Sequence, residues 1–412
     1  MQRPGPQLEF AELATLFFIQ WMGLATWMVP LTLVLRAHGL DDIVPFAFAT
    51  SATAAVISPL FFGAMADREL GPARVLRWLC VASAVSVTLA SLAIQRHWHP
   101  AAVLALIQLY AVCIAPTTSL STTIALAELH DPRRQYGPIR AMGTTGWMVG
   151  CWLISLLGAD ASTRAGFSGA VLWLVLAAFT GLLPDVPPPA SAQHLTLAQR
   201  LGLDALTLLR QRDHRVVFLT ASLFSIPLAA FYPYMPMHLR DVGLQHATAW
   251  MSLAQTMEIV AMFSLGTLLA RWRLKWILLA GMGFALLRYS LCALNVKFWL
   301  LVGVSLHGLA YTLFFTVAQI YVNERVEFAW RTRAQALLTL MMSGVGNLVG
   351  YLGCGWWFRA CQRAEGTHWS LFWGGLAAAV ALVLGYFLVT YHGIGRGLAP
   401  AGKVTGVPSP PL

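Results

Sequence analysis

Charge is scarce in this chain. Among 412 residues there are 17 Asp and Glu, and charged residues of both signs make up only 11%. Soluble domains carry about 25%, so a globular protein with a water-solvated surface is excluded. Cysteines number six, and they fall mostly inside apolar runs with no metal-ligand spacing, which reads as small buried apolar side chains and not as a metal or disulfide framework. Walker-type loops, H-E-x-x-H and G-x-S-x-G are absent. ATP-driven transport is therefore unsupported, and the chain reads as a non-enzyme with no cofactor. A cleaved leader is not expected, because Glu9 and Glu12 precede a first apolar run too long for a signal peptide.

Apolar residues are abundant: 58% of the chain, with a mean hydropathy of +0.66. A helical span needs about 20 mostly apolar residues. Twelve such runs are predicted, near 11–35, 43–66, 75–95, 101–127, 138–158, 166–184, 215–238, 247–270, 274–295, 298–322, 334–358 and 369–391. Their continuity excludes a β-barrel, whose strands alternate. The net charge of +10 follows the membrane. With both termini on one side, 19 of the 27 Lys and Arg lie on that side, seven lie on the other, and Arg288 is inside a span. This bias puts both termini in the cytoplasm of a cell with an inner membrane. No basic run suggests nucleic acid; the partners implied are the lipid bilayer and a small solute, with the chain expected to be monomeric.

The longest polar gap divides the runs six and six. Residues 1–184 form one predicted bundle, 185–213 a cytoplasmic central loop, 214–392 a second bundle and 393–412 a tail. Within the loop, LTLAQRLGLDALTLLRQ has an amphipathic period suited to the membrane surface. The halves echo one another. Arg68 follows Gly63 by five residues, as Arg271 follows Gly266. Gly146 and Gly150 in run 5 match Gly346 and Gly350 in run 11, a spacing that lets helices approach closely. Duplicated halves favour a transporter whose solute binds near mid-membrane between them.

Glu258 is the acidic residue placed nearest mid-membrane, where a carboxylate is costly and is ordinarily functional. It is the predicted proton site; a structural carboxyl bonded to a neighbouring helix is the alternative. Gln255, three residues earlier, shares its face. Arg140, Thr144 and Trp147 are spaced i, i+4, i+7 and share a face of run 5. Arg140 is either part of a site or an interfacial residue that snorkels. Arg288 lies mid-span and needs a partner, for which Glu258 is the candidate; the pair would serve coupling or only tie two helices together. His307 and Tyr311 stand one turn apart in run 10, either as site residues or as core. Gln20 and Trp27, seven apart, share a face of run 1, with an interfacial belt as the alternative for Trp27. Tyr232 and Tyr234 offer hydroxyls in run 7, where Pro233 and Pro236 predict a bent helix end. Asn347 and Gln319 are polar within spans, and interhelical hydrogen bonds account for them as well as a solute does.

Twelve spans, cytoplasmic termini, a long central loop and G-x-x-x-D-R after run 2 (Gly63, Asp67, Arg68) resemble the major facilitator superfamily. Glu69 and Leu70 interrupt that loop before Gly71. FFIQWMGLATW (17–27), YGPIRAMGTTGW (136–147), LAQTMEIVAMF (253–263) and RTRAQALLTLMMSGVGNLVG (331–350) are similar to the nucleoside:proton symporters, and more distantly to the lactose and phenylpropionate permeases. The resemblance implies an all-α protein of twelve helices in two six-helix bundles. It also implies solute contacts at Gln255 and Glu258, and at Arg140, Thr144 and Trp147. The symporters differ where this chain has Ala229 and Tyr232, His307, and Thr312 in place of an acid.

The expected function is proton-coupled import of a small polar ring-bearing solute, a nucleoside first. The expected solute contacts are Gln20, Trp27, Arg140, Thr144, Trp147, Tyr232, Gln255, Glu258, His307 and Tyr311. Glu258, Arg288 and His307 are the expected proton-coupling groups, with the proton as the only coupling ion. A sugar or aromatic-acid permease of the same fold is the nearest alternative, and a non-transporting receptor or structural protein the next.

Overall fold

The computed structural model describes residues 6–66, 71–129, 131–183 and 196–393. Asp67 and Arg68 of the loop motif, the prolines at 187–189 and the tail beyond 393 lie outside the described residues. The protein is helical. Its helical segments are Pro6–Met28 continuing as Leu31–Ala37, Val44–Ala66, Pro72–Gln95, Pro100–Ile114 continuing as Thr117–Glu128, Pro132–Leu156, and Arg164–Phe179. They resume with Arg212–Leu228 and Phe231–Asp241, then Ala247–Met251 and Leu253–Arg271, then Leu274–Ala293. Lys297–Tyr311 runs through a π-helical turn, Thr312–Thr316, into Val317–Arg325. Arg331–Thr339 runs through Leu340–Gly346, also π-helical, into Asn347–Ala360, and Trp369–Thr390 closes the series. Among the described residues nine helices are long and apolar enough to cross a membrane, and Arg164–Phe179 is a shorter apolar helix. The strand pair described, Gln362–Arg363 with Gly366–Thr367, is a two-residue antiparallel hairpin.

Helix starts follow local chemistry. Pro72 and Pro100 sit at first-turn positions, where the missing N–H is not needed. The fifth helix begins at Pro132, six residues before the predicted start, and absorbs Pro138. In helix 212–241 the break falls at Ala229–Ala230, ahead of both prolines predicted to bend it. Proline acts backwards: the Pro233 ring crowds the carbonyl of residue 229, so the helix parts there.

The buried apolar residues form two clusters. One draws almost wholly on residues 13–183, with Ala229 and Tyr351 joining; the other draws on residues 205–391, with Ala25, Val29, Leu33, Trp147 and Cys151 joining. All six cysteines are buried and free. Each half has a matching contact of near backbone-to-backbone closeness, and the second half adds Gly308 against the backbone of Ala254 and Glu258. Helix 132–156 lies on helix 6–28 so tightly that a methyl group on Gly146 would overlap the Phe18 carbonyl, and one on Gly150 would lie 2.7 Å from the Met22 carbonyl oxygen. Helix 347–360 and the turn before it repeat this: Gly346 against the Ser222 carbonyl at 2.7 Å and Gly350 against Ile226 at 2.7 Å. In both halves glycines four apart meet carbonyls four apart.

The halves join each other by polar contacts at the end away from the N-terminus. Arg36 Nη1 pairs with Asp241 at 2.9 Å. Trp152 Nε1 donates to Ser252 Oγ at 2.9 Å. Asp160, 5% exposed, accepts from Ser155 Oγ and from the Thr248 backbone N–H. Ser155 Oγ accepts in turn from the Ala249 N–H.

Part of the segment with the amphipathic period packs on protein. The chain turns at Gly202 (φ +70°), and Leu203–Arg210 docks on helix 331–339, with Ala205 fully buried and Arg333 paired to Asp204 at 2.9 Å. Leu203 and Leu206 on the same segment stay exposed.

Replacing Gly146 or Gly350 with Ala is expected to cost about 1–3 kcal/mol by overpacking. Gly353→Ala, which has nothing within 4 Å of its new methyl, is expected to leave stability unchanged or slightly raised. Thermal unfolding of the purified variants checks both.

Candidate functional site

Between the halves lies a cavity of about 160 Å³ lined by Trp21, Arg140, Thr144, Trp147, Tyr232, Gln255, Glu258, His307 and Tyr311. Five helical segments deliver them: 6–28, 132–156, 231–241, 253–271 and 297–311. The i, i+4, i+7 spacing does bring Arg140, Thr144 and Trp147 onto one wall, and the i, i+3 spacing brings Gln255 and Glu258 onto another. A second cavity of about 110 Å³ shares Tyr232, His307 and Tyr311, and adds Ser225, Ser343, Asn347 and Tyr351 among its lining. Those three shared rings form the partition. Ligand pockets for drug-sized molecules run about 300–1,000 Å³, so either cavity alone is small, and side-chain movement at the partition would merge them.

The first cavity is walled by rings. Trp21 and Trp147 stand 6.0 Å apart between centroids, and Trp147 meets Tyr232 at 5.8 Å. The Arg140 guanidinium lies over the Trp21 ring at 4.2 Å, a cation–π contact. Several polar atoms here are buried yet make no hydrogen bond within the protein: Trp21 Nε1, Trp147 Nε1, Arg140 Nη1 and Gln255 Oε1. Buried polar atoms are nearly always paired in native proteins, and each exception calls for an explanation. Three donors and one acceptor around one cavity offer a polar, ring-bearing solute what the fold leaves unpaired.

The charges are arranged differently from the expected pairing. Arg140 is the cation whose charge acts on Glu258, and both line the same cavity. Arg288 does not face Glu258. It is fully buried, it lies 4.9 Å from the Phe231 ring centroid and 4.3 Å from that of Tyr289, and it hydrogen-bonds His307. Aromatic faces and an imidazole lone pair take the place expected of a carboxylate.

Two expected contacts lie away from the cavity. Gln20 is fully buried and donates to Thr117 Oγ1 at 3.0 Å. Trp27, 2% exposed, packs edge-on to Tyr110 at 6.2 Å and against Gly166. The two do share a helix face, but that face looks into the first half's own core. Trp21, one residue and about 100° of helix further round than Gln20, faces the cavity instead. Sequence reasoning missed it, because the period of the helix does not say which face looks into the cavity. Tyr234 also lies outside both cavities, stacked on Phe358 at 4.6 Å. Asn347 lines the second cavity.

The family described as nucleoside H+ symporter matches residues 9–393. The putative nucleoside transporter YegT of Escherichia coli (strain K12) is 32% identical over 407 residues, covering 93% of each chain. Nucleoside permease NupG of the same organism is 24% identical, covering 96% of this chain and 98% of its own. Xanthosine permease, also from that strain, is 25% identical over 360 residues, covering 82% and 85%. A crystal structure of nucleoside transporter NupG matches with a TM-score of 0.83 at 23% identity, covering 93% of this chain and 99% of that one. The fold is shared along essentially the whole chain.

Trp27→Leu, which empties a core site, is expected to cost about 3 kcal/mol or more of stability. Trp21→Leu, on a cavity wall, is expected to cost less than half as much. Thermal unfolding of the two variants side by side, without added solute, checks the assignment of core and wall.

Proposed function

We propose a function for this chain, which belongs to the nucleoside H+ symporter family: it imports nucleosides, each with a proton, by alternating access. In this reading the helical segments make twelve spans in two six-helix bundles of the major facilitator type. Both termini face the cytoplasm of an inner-membrane protein acting as a monomer. The observation that carries the reading is the ring-walled cavity with its four unpaired buried polar atoms. A nucleobase supplies a flat π-face for Trp21, Trp147 and Tyr232. Stacking on such rings is worth about 1–3 kcal/mol per base in nucleic-acid complexes. The same base supplies lone pairs for the indole and guanidinium donors, and its N–H groups suit Gln255 Oε1.

Coupling follows from the Arg140–Glu258 pair. With Glu258 ionised, the two attract across the cavity and compete with the solute for the same space. A proton on Glu258 cancels that attraction and releases Arg140 Nη to the solute. Glu258 in its neutral form is itself a donor. Proton and solute thus favour each other's binding, which is the requirement for symport. A permease for an aromatic carboxylate is the second reading; the Arg140 guanidinium on the cavity wall favours it.

Reconstituted in liposomes, the protein is expected to accumulate labelled uridine or adenosine under an inward proton gradient. Glu258→Gln is expected to abolish the gradient's effect while retaining nucleoside exchange. Absence of nucleoside flux in the unsubstituted protein, with flux of an aromatic acid, would overturn the nucleoside assignment.

A further inference from the structure

Arg288 is a cation with no solvent exposure, sandwiched against Phe231 and Tyr289. Its polar contact is Nη1 with His307 Nδ1, and its Nε and Nη2 have no partner within the protein. A guanidinium has five N–H donors, no acceptor, and does not lose its proton in proteins. In this contact Arg288 must donate, so Nδ1 of His307 must accept. An imidazole that accepts at Nδ1 is neutral and carries its hydrogen on Nε2. The ring stacks on Phe231 at 3.8 Å and 16°, and meets Tyr232 edge-on at 6.1 Å, which fixes its plane. His307 lines both cavities at their partition.

We propose that Arg288 is a positioning residue that locks His307 as the Nε2–H tautomer, so that the junction of the two cavities presents a fixed N–H donor that selects solutes with a lone pair there. The chemical class is a heterocycle bearing a ring carbonyl or a bare ring nitrogen. This rests on the nucleoside reading, since both kinds of nucleobase carry such acceptors. It also divides the labour at the site. His307, engaged by a permanent cation, reads the solute, and the proton is left to Glu258. An isolated histidine interconverts between tautomers and presents a donor only part of the time. A site built to donate rejects a solute without the matching acceptor, because its own N–H is then left buried and unpaired.

The test has two arms. Nitrogen-15 solid-state NMR of histidine-labelled protein in lipid, without solute, reads the tautomer, with His307 assigned by its loss in His307→Phe. The expected spectrum shows Nε2 protonated and Nδ1 bare; Arg288→Met converts it to mixed tautomers, and Arg288→Lys, which keeps a cationic donor, largely preserves it. Equilibrium uridine binding gives the second arm. Arg288→Met is expected to weaken binding about tenfold in the native background and less than about twofold in the His307→Phe background, a coupling that a purely structural loss would not show. An Nδ1–H or doubly protonated His307 in the unsubstituted protein overturns the proposal, as do equal losses in both backgrounds. Should Arg288→Met not fold, the unsubstituted spectrum decides the tautomer, and Arg288→Gln, which removes the cation, takes its place in the binding cycle. Because the first arm needs no solute, a protein that ignores nucleosides defeats the functional reading while the tautomer is still judged on its own.

Discussion

Hydrocarbon offers no hydrogen bonds, so every backbone N–H and C=O in a span must be satisfied from within the protein. The rest of the architecture answers to that constraint. Regular helix satisfies it automatically, and three of the departures from regular helix in this chain have a side-chain hydroxyl bonded to a nearby carbonyl. Where helix 100–128 is interrupted before Thr117, the Thr117 hydroxyl donates to the Ile114 carbonyl at 2.7 Å. Beside the break at Ala229–Ala230, Tyr289 donates to the Pro227 carbonyl at 2.5 Å. At Ser252, between helices 247–251 and 253–271, the hydroxyl donates to Ala249 at 2.7 Å. Several of these departures sit at the central cavities. Ala229, Phe315, Met342 and Ser343 all line the second one, and the last three belong to the two π-helical turns. Irregular backbone at membrane depth is tolerated where it lines a cavity, and π-turns gather at functional sites for the same reason.

That constraint explains what the sequence could and could not reveal. Periodicity fixes which residues share a helix face, so Arg140, Thr144 and Trp147 were legible as a group, as were Gln255 and Glu258. Periodicity does not say where a face looks. Gln20 and Trp27 were grouped correctly and face the first half's core, while Trp21 holds the cavity wall. The prolines of the 227–239 stretch were legible as a disturbance, but the break lies at Ala229–Ala230 because a proline perturbs the turn before it. Arg288 was legible as a residue in need of a partner. Its partner was not, because a buried cation is stabilised by aromatic faces and a lone pair as well as by a carboxylate, and charge counting along a sequence sees only the last. The central segment read as amphipathic, yet nothing in its period distinguishes a lipid surface from helix 331–339.

The glycine contacts inside each half and the polar contacts between the halves are built from different materials, beside apolar packing such as Phe48–Tyr351 and Pro45–Gly355 that also crosses between them, and the difference bears on motion. Inside each half, glycines let helices touch backbone to backbone at Phe18, Met22, Ser222 and Ile226. Such contacts have no soft side chain to yield, which favours each half moving as a piece in the proposed transport. Across the halves, the contacts at Arg36–Asp241, Trp152–Ser252 and Ser155–Asp160–Thr248 are hydrogen bonds and an ion pair at the end of the helices. Water replaces a hydrogen bond at small net cost, about 0.5–1.5 kcal/mol each, and an exposed ion pair at about 0–1 kcal/mol. A junction of that kind opens when water reaches it, whereas the glycine contacts gain nothing from water. The rocking of one half against the other, as proposed for transport, therefore has a natural plane of separation, and the cavity that holds Glu258 and Arg140 lies on it.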